Sequence, residues 1–481
     1  MGAIGGTRVR ARGDASPEPG SGPSVPERRR GRRRLGITIL AVVALAVAML
    51  AVGGLGLFGR GSRSPQAGIG SAGLGNDPAG ALSGHPVIRS GSLRQAIDSL
   101  RARLAAVPED WAAWAELGLA YVQQARVTAD PSFYPKAQGA LRRSLALHAE
   151  GNFEAFTGEG ALAAARHDFV GALHWGDRAR DVNPYNGNVY GVIGDAQLEL
   201  GRYRAAFATF QHMVDLKPDL ASYARASYAR ELQGDVEGAA SVMRLALSAA
   251  GTPQDRAFAA YQLGELAFNR GDLVGADHFF RMAAASAPEY FPPQAGLARL
   301  AWARGDTNGA IKQFGDIVAR YPSPEYVIAL GDLYTVSGEA AKAGEQYDLV
   351  RAEERLFQAA GVNVDLELAL FDADHGDPGR AVAEARTEWG RRHSILVADA
   401  LAWSLYRDGR AGEALRYSRF ARSLGYRSAT ILFHAGMIER ATGDDASARR
   451  DLRAALRINP HFSILHGGEA RDALAALEAS S

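Results

Sequence analysis

The side chains of this sequence that could perform chemistry are few, and they do not converge on a motif. The chain has no cysteine, which excludes disulfides, thiolate metal sites and thiol catalysis. Its eleven histidines are scattered, and there is no phosphate-binding glycine loop, zinc-protease motif or serine-hydrolase elbow. The sequence therefore predicts a protein that is not an enzyme and has no cofactor or small-molecule substrate.

Two short stretches contain residue types that can bind metal ions. Residues 372–377 read DADHGD and resemble the start of a calcium loop, but the later bidentate glutamate of an EF-hand is missing. An ordinary turn between two helices is the simpler interpretation of His375 and its neighbours. His461 and His466 flank a bend after Pro460, where surface histidines are expected, so we predict no metal site there either.

The charge is distributed unevenly along the chain. The net charge is +1 overall, with +8 before Ser64 and −7 from Ser64 onward. An acidic region without clustered positive charge cannot neutralise a phosphate backbone, so we predict no binding to nucleic acid.

The N-terminal region divides into three segments by composition. Residues 1–34 are rich in Gly, Pro, Ser and Arg, which predicts a disordered, basic cytoplasmic tail. Residues 35–58 have no charged side chain, and as a helix they would span roughly 36 Å, more than a hydrocarbon core of about 30 Å. The sequence therefore predicts a single transmembrane helix with its arginine-rich end in the cytoplasm. Residues 59–90 are predicted to be a flexible linker.

A cleaved signal peptide is the alternative for the apolar segment. Ala46, Val47 and Ala48 form a possible cleavage site. Apolar sequence continues ten residues past this site, which favours an anchor. In both cases the remainder of the chain, residues 91–481, would lie outside the cytoplasm.

The helices of this remainder are predicted by a repeated pattern, which is clearest in residues 185–218. Tyr190, Ile193 and Gln197 recur at helical spacing, residues 201–203 break the pattern, and a second helix ends at Pro218. Neither of two such short amphipathic helices is stable alone, so the unit must pack against copies of itself.

This unit resembles the tetratricopeptide repeat (TPR). The small residues Gly194 and Ala206, the turn residue Gly201, the aromatic Phe210 and the terminal Pro218 fill the characteristic positions of that family. The pattern recurs about ten times over residues 111–460, with a capping helix at each end. The resemblance implies an all-α, superhelical solenoid of helical hairpins whose first helices line a concave surface. Anchored bacterial envelope proteins of this family are the most similar type.

The family's groove-facing positions can be projected onto this chain. They predict an aromatic groove with scattered acidic side chains, suited to a segment of a partner protein. These positions are Asp195, Tyr228, Glu231, Phe258, Tyr261, Glu265, Phe268, Arg299, Trp302, Asp332, Trp403, Tyr406, Phe433 and Met437.

Two functions are consistent with this organisation. The favoured one is a non-catalytic, membrane-anchored scaffold that binds partner proteins outside the cytoplasm and assists the assembly of envelope proteins. The alternative is an accessory or structural subunit of a membrane enzyme or transporter, in which the transmembrane helix itself packs against partner helices.

Overall fold

The structure, a computed structural model, describes residues 93–128 and 130–480. These residues contain twenty-two α-helices and no β-strand. The helices are α1 (Leu93–Ala106), α2 (Trp111–Thr128), α3 (Phe133–Leu147), α4 (Phe153–Ala165), α5 (Phe169–Val182), α6 (Gly187–Glu199), α7 (Tyr203–Leu216), α8 (Leu220–Leu232), α9 (Val236–Ser248), α10 (Pro253–Asn269), α11 (Leu273–Ser286), α12 (Pro292–Ala303), α13 (Thr307–Val318), α14 (Pro324–Val336), α15 (Ala340–Ala359), α16 (Asp365–His375), α17 (Pro378–Arg391), α18 (Ile395–Arg407), α19 (Ala411–Ala421), α20 (Ala429–Ala441), α21 (Asp445–Ile458) and α22 (His466–Ala479).

The helices from α2 to α21 form ten hairpins, each made of two consecutive helices packed on one another. Helices α1 and α22 pack on the first and last hairpin. The predicted helical solenoid is therefore confirmed within the described residues.

Local sequence explains where the second helix of a hairpin begins. An aspartate caps six of these helices and accepts a hydrogen bond of 2.8 to 3.1 Å from a backbone N–H of the first turn. Such a bond satisfies one of the unpaired donors at a helix N-terminus. The six caps are Asp168, Asp235, Asp272, Asp306, Asp377 and Asp444.

The two helices of a hairpin differ in how much of their surface is buried. Helix α10 buries nearly every residue from Ala257 to Phe268. Its partner α11 buries one stripe, formed by Ala276, Phe280 and Ala283. A helix that is apolar all round must be enclosed by other helices, whereas an amphipathic helix has one face in solvent. The first helices thus lie inside the solenoid and the second helices outside.

The solenoid contacts itself after about five hairpins, along a line of contacts that we call the seam. Four hairpin turns, at residues 166–167, 201, 234 and 271, meet four loops that follow later hairpins, at residues 363, 393, 425 and 458–459. If a turn belongs to one hairpin, the loop that it meets follows the hairpin five repeats later in the chain. The repeat of this offset shows that two successive turns of one superhelix pack against each other.

Hydrogen bonds and apolar side chains both cross the seam. The Tyr203 hydroxyl accepts a hydrogen bond of 2.6 Å from the backbone N–H of Ile395, and Asn459 donates one of 2.9 Å to the carbonyl oxygen of Phe268. Helix α15 is 20 residues long and runs on to Ala359. Its extension lets Phe357 join the buried cluster around Leu162 of the second hairpin.

One turn at the seam departs from the repeat. His167 has a φ of 60°, where the next three turns place a glycine with φ between 74° and 80°. A side chain strains the backbone in this region. The His167 ring compensates by a hydrogen bond from Nδ1 to the carbonyl oxygen of Asn363 across the seam.

The predicted tail, transmembrane helix and linker, residues 1–34, 35–58 and 59–90, lie outside the described residues. Of the helices between Leu93 and Ser480, none has both the length and the apolar content required to cross a membrane.

Candidate partner-binding surface

The fourteen side chains predicted to line the groove occupy two environments. Nine are buried: Asp195, Tyr228, Glu231, Phe258, Glu265, Phe268, Trp403, Phe433 and Met437. Five are half-buried: Tyr261, Arg299, Trp302, Asp332 and Tyr406. Only the half-buried side chains keep surface that a partner can contact without a rearrangement of the helices.

Two acidic side chains of the predicted groove are paired within the chain. Arg225 donates two hydrogen bonds to Asp195, from Nε at 2.9 Å and from Nη2 at 2.7 Å. Arg299 forms an ion pair with Glu265. Breaking a buried pair leaves a charge without compensation, which is strongly destabilising. These carboxylates therefore stabilise neighbouring first helices.

The aromatic side chains predicted near the C-terminus form a core. Trp403 is fully buried, and its ring stacks on His434 with centroids 4.1 Å apart. Its indole Nε1 donates a hydrogen bond of 2.8 Å to Asp374. Phe433 and Met437 belong to the same buried cluster. A fully packed and hydrogen-bonded tryptophan is unavailable to a partner.

The two stretches with metal-binding residue types are also occupied by internal contacts. Asp372 pairs with Arg351 and Arg380. His466 Nδ1 donates a 2.9 Å hydrogen bond to the carboxylate of Glu469. Within the described part of the chain, no three metal-ligating side chains are grouped so as to hold an ion.

A half-buried group of aromatic side chains remains accessible, and we call Tyr261, Tyr290, Trp302 and Tyr321 the tyrosine cluster. The Tyr261 and Tyr290 rings meet edge to face, with centroids 6.0 Å apart. Tyr261 and Trp302 pack on the same buried residues. None of the three phenol hydroxyls has a hydrogen-bond partner among the described residues.

The charged groups near the tyrosine cluster are Glu265, Glu325 and Arg299. Burial, followed by the nearby charge of Tyr321 and of Glu325, raises the pKa of Tyr290 above its ordinary value. Burial also raises the pKa of Glu325, which has Arg299 and Glu265 in its surroundings. The phenols therefore stay protonated at neutral pH and can donate hydrogen bonds as well as accept them.

Two members of this cluster, Tyr290 and Tyr321, are not among the predicted groove positions. Tyr290 and Tyr321 lie in the loops that precede α12 and α14, whereas the projected positions all lie on first helices. Their signal in the sequence is an aromatic residue within two positions of the proline that ends a hairpin, as in Pro288 and Pro322.

The contact between the two helices of a hairpin is the same in five hairpins. A first-helix glycine lies against a bulky second-helix side chain so closely that a Cβ atom would overlap it. The pairs are Gly118 with Leu141, Gly194 with Phe210, Gly264 with Phe280, Gly331 with Tyr347, and Gly436 with Leu452. This is the small-against-bulky contact expected from the repeat pattern.

Family models for the tetratricopeptide repeat match four parts of the chain. One matches residues 87–134, 296–355 and 400–461, and a second matches residues 187–220. The chain contains tetratricopeptide repeats. Its TPR hairpins continue through the unmatched regions, for example in α10 and α11. A fold of this type suggests an interaction scaffold, because stacked repeats present extended surfaces to other proteins.

Several solved structures are similar to this TPR protein. The structure of the Cut9–Hcn1 hetero-tetramer of the APC/C is 14% identical, covers 79% of this chain and 81% of its own, and has a TM-score of 0.37. A TPR protein from Parabacteroides merdae is 15% identical, with coverages of 60% and 98% and a TM-score of 0.32. The type IV pilus biogenesis factor PilW is 17% identical, with coverages of 43% and 94% and a TM-score of 0.34. No curated protein matches the sequence.

Proposed function

We propose that this TPR protein is a non-catalytic scaffold that binds a partner protein at the tyrosine cluster. The half-buried aromatic side chains with unpartnered hydroxyls are the observation that carries this proposal. Tyrosine gives a large contact area at low cost in conformational entropy, and its hydroxyl adds directional hydrogen bonds. Most other positions of the expected groove are used for internal packing.

The proposal includes a place in the cell. Residues 35–58 anchor the chain in a membrane with its N-terminus in the cytoplasm, and the solenoid assists the assembly of envelope proteins on the other side. The support is in the sequence: 24 uncharged residues follow a run of arginines, which matches the length of a membrane span and its charge bias.

Hydroxyl removal tests the binding surface. The triple variant Tyr261→Phe, Tyr290→Phe and Tyr321→Phe keeps the aromatic packing and removes only the three hydroxyl groups. A photo-crosslinking amino acid at Trp302, introduced into the full chain in its native membrane, should form an adduct with one defined protein. We expect the triple variant to reduce that adduct at least tenfold, since the three lost hydrogen bonds together contribute roughly 1.5 to 4.5 kcal/mol.

Tyr185 provides the matched control. It is 84% exposed and lies in the loop between α5 and α6. Tyr185→Phe should leave the adduct unchanged. An adduct of equal yield in the triple variant would exclude the tyrosine cluster as the binding surface.

The anchor has its own test. Residues 35–58 are exchanged for an unrelated transmembrane span, and partner binding is measured again. A scaffold that is only tethered tolerates the exchange. Loss of the complex would instead favour an accessory subunit whose helix packs in the membrane, and release of the unexchanged chain from membranes by salt would contradict the anchor.

A further inference from the structure

A cavity of about 990 Å³ lies between the two packed turns of the superhelix. The first turn contributes residues of α8, α9, α10 and α12, and the second contributes the loops before α20 and α22 and the helices beside them. Seam contacts at Gly234 and Gly271 lie beside it. Its volume is in the range of pockets that hold small ligands.

Five arginines line this cavity, and three of them are neutralised. Arg299 pairs with Glu265, Arg270 pairs with Glu237 at 2.6 Å, and Arg422 pairs with Glu439 at 2.9 Å. These three guanidinium groups therefore hold the walls of the cavity in place.

Arg427 and Arg457 are the exception. Neither has a carboxylate or any other polar partner among the described residues. Arg427 comes from the loop before α20, and its Cγ lies close to Gly234 of the first turn. Arg457 is in the last turn of α21. Both residues are exposed to solvent, and two guanidinium groups without an acidic partner at the edge of one cavity leave a local excess of positive charge.

The interior of the cavity does not cancel that excess. Burial, followed by the charge of Glu265, raises the pKa of Glu231 to about 7. A carboxyl group with that pKa is substantially protonated near neutral pH, so it repels an anion less than an ordinary glutamate. Leu266, Leu432 and Phe462 supply apolar surface beside it.

We propose that this inter-turn cavity binds a small organic dianion, whose carboxylate or phosphate groups contact Arg427 and Arg457 while its apolar body lies against Leu266 and Phe462. Guanidinium groups bind both kinds of oxyanion through paired hydrogen bonds. This site is separate from the tyrosine cluster and goes beyond the proposed scaffold function. Because both turns line the cavity, the ligand stabilises the closed form of the seam.

Binding is measured on the full-length chain in detergent by isothermal titration calorimetry. Phenyl phosphate and isophthalate serve as probes, because each joins a dianionic group to an apolar ring and together they separate phosphate from carboxylate recognition. We expect saturable binding of at least one probe and a higher thermal unfolding midpoint, with sodium chloride at equal ionic strength giving neither. The variant Arg427→Ala/Arg457→Ala should weaken binding about a hundredfold, about tenfold for each charged hydrogen-bonding group lost.

Arg453→Ala is the control variant. Arg453 is exposed on the same helix as Arg457, but it pairs with Glu478 at 2.5 Å and does not line the cavity. The affinity of the Arg453→Ala variant for the probes should stay within about twofold of that of the unaltered chain. The proposal is overturned if neither probe binds saturably, if the double variant binds as tightly as the unaltered chain, or if Arg453→Ala loses as much affinity.

Discussion

Arg392 forms a buried ion pair with Glu199, which lies 193 residues earlier in the chain and on the other side of the seam. The same guanidinium also pairs with Glu388. All three side chains are at most 6% exposed. One arginine thus compensates two carboxylates, one from each turn of the superhelix.

Arg392→Ala should destabilise the seam by about 3 to 5 kcal/mol, because it leaves the buried Glu199 without its counter-charge and leaves the buried Glu388 with only the more distant Arg391. Urea unfolding monitored by circular dichroism gives the change in free energy. Hydrogen exchange in α6 and α18 should rise more than in α2.

The neighbouring Arg391 separates this effect from a general loss of charge. Its side chain is 48% exposed and pairs mainly with Asp365; its second contact, 3.3 Å from Glu388, is longer than the pairing of Glu388 with Arg392. Arg391→Ala should cost no more than about 1 kcal/mol. Equal losses for the two variants would show that the Arg392 pair does not hold the seam.

Gly201→Ala should also open the seam. Gly201 has a φ of 74°, and a Cβ atom there would overlap the carbonyl oxygen of His393 in the opposite loop. The substitution combines a backbone cost of about 1 to 2 kcal/mol with a steric clash. Small-angle scattering should record a larger radius of gyration together with the lower stability.

Gly443 has a matching backbone, with a φ of 83°, but no atom lies within 4 Å of its added Cβ. Gly443→Ala should therefore show only the backbone cost and leave the radius of gyration unchanged. If both alanine variants increase the radius of gyration equally, the steric clash at Gly201 is not the cause of the opening of the seam.

Glu353 should make stability fall as the pH rises. Burial raises its pKa to about 9, against 4.5 in the unfolded chain. Between these values the unfolded chain loses a proton that the folded chain keeps, so the free energy of unfolding decreases through this range. The cost at pH 7 is roughly 3 kcal/mol. Glu353→Gln should be more stable at pH 7 and show a flatter profile in unfolding experiments from pH 5 to pH 9; an unchanged slope would refute this role.

His167 should make the protein less stable as the pH decreases, which is the opposite of the effect of Glu353. Burial, with the positive charge of Arg392 as the next cause, lowers the pKa of His167 to about 4, against 6.5 when unfolded. Below pH 6.5 the unfolded chain takes up a proton that the folded chain excludes until about pH 4, so the free energy of unfolding decreases by roughly 3 kcal/mol over this range.

His167→Asn tests this prediction, because asparagine tolerates a positive φ and does not titrate here. Its unfolding free energy should vary less between pH 6.5 and pH 4 than that of the unaltered chain, measured at constant ionic strength. Parallel profiles for the two proteins would assign the acid sensitivity to other groups.

The single hairpin was predictable from sequence because its causes are local. Gly194 and the bulky Phe210 are sixteen residues apart. Each capping aspartate lies directly before the helix that it caps. Each of these signals acts within one repeat of the chain. The helical order and the repeat family follow from them.

The environment of the predicted groove was not predictable in the same way. Asp195 and Trp403 occupy groove positions of the repeat, yet both are buried by contacts that the repeat pattern does not specify. His167 stands where the following turns have glycine, but its partner Asn363 lies 196 residues away, so no local pattern links the two.

Sequence by itself determined the repeating hairpins of this protein, since spacing, capping and small-against-bulky contacts act within about 34 residues. Only the tertiary structure decided that the superhelix closes on itself, which acids become buried pairs, and where the cavity between the turns lies. The physical reason is that the small rotation between neighbouring hairpins accumulates over five repeats. The position at which Arg392 meets Glu199 is therefore the sum of many packing angles, and no single residue encodes it.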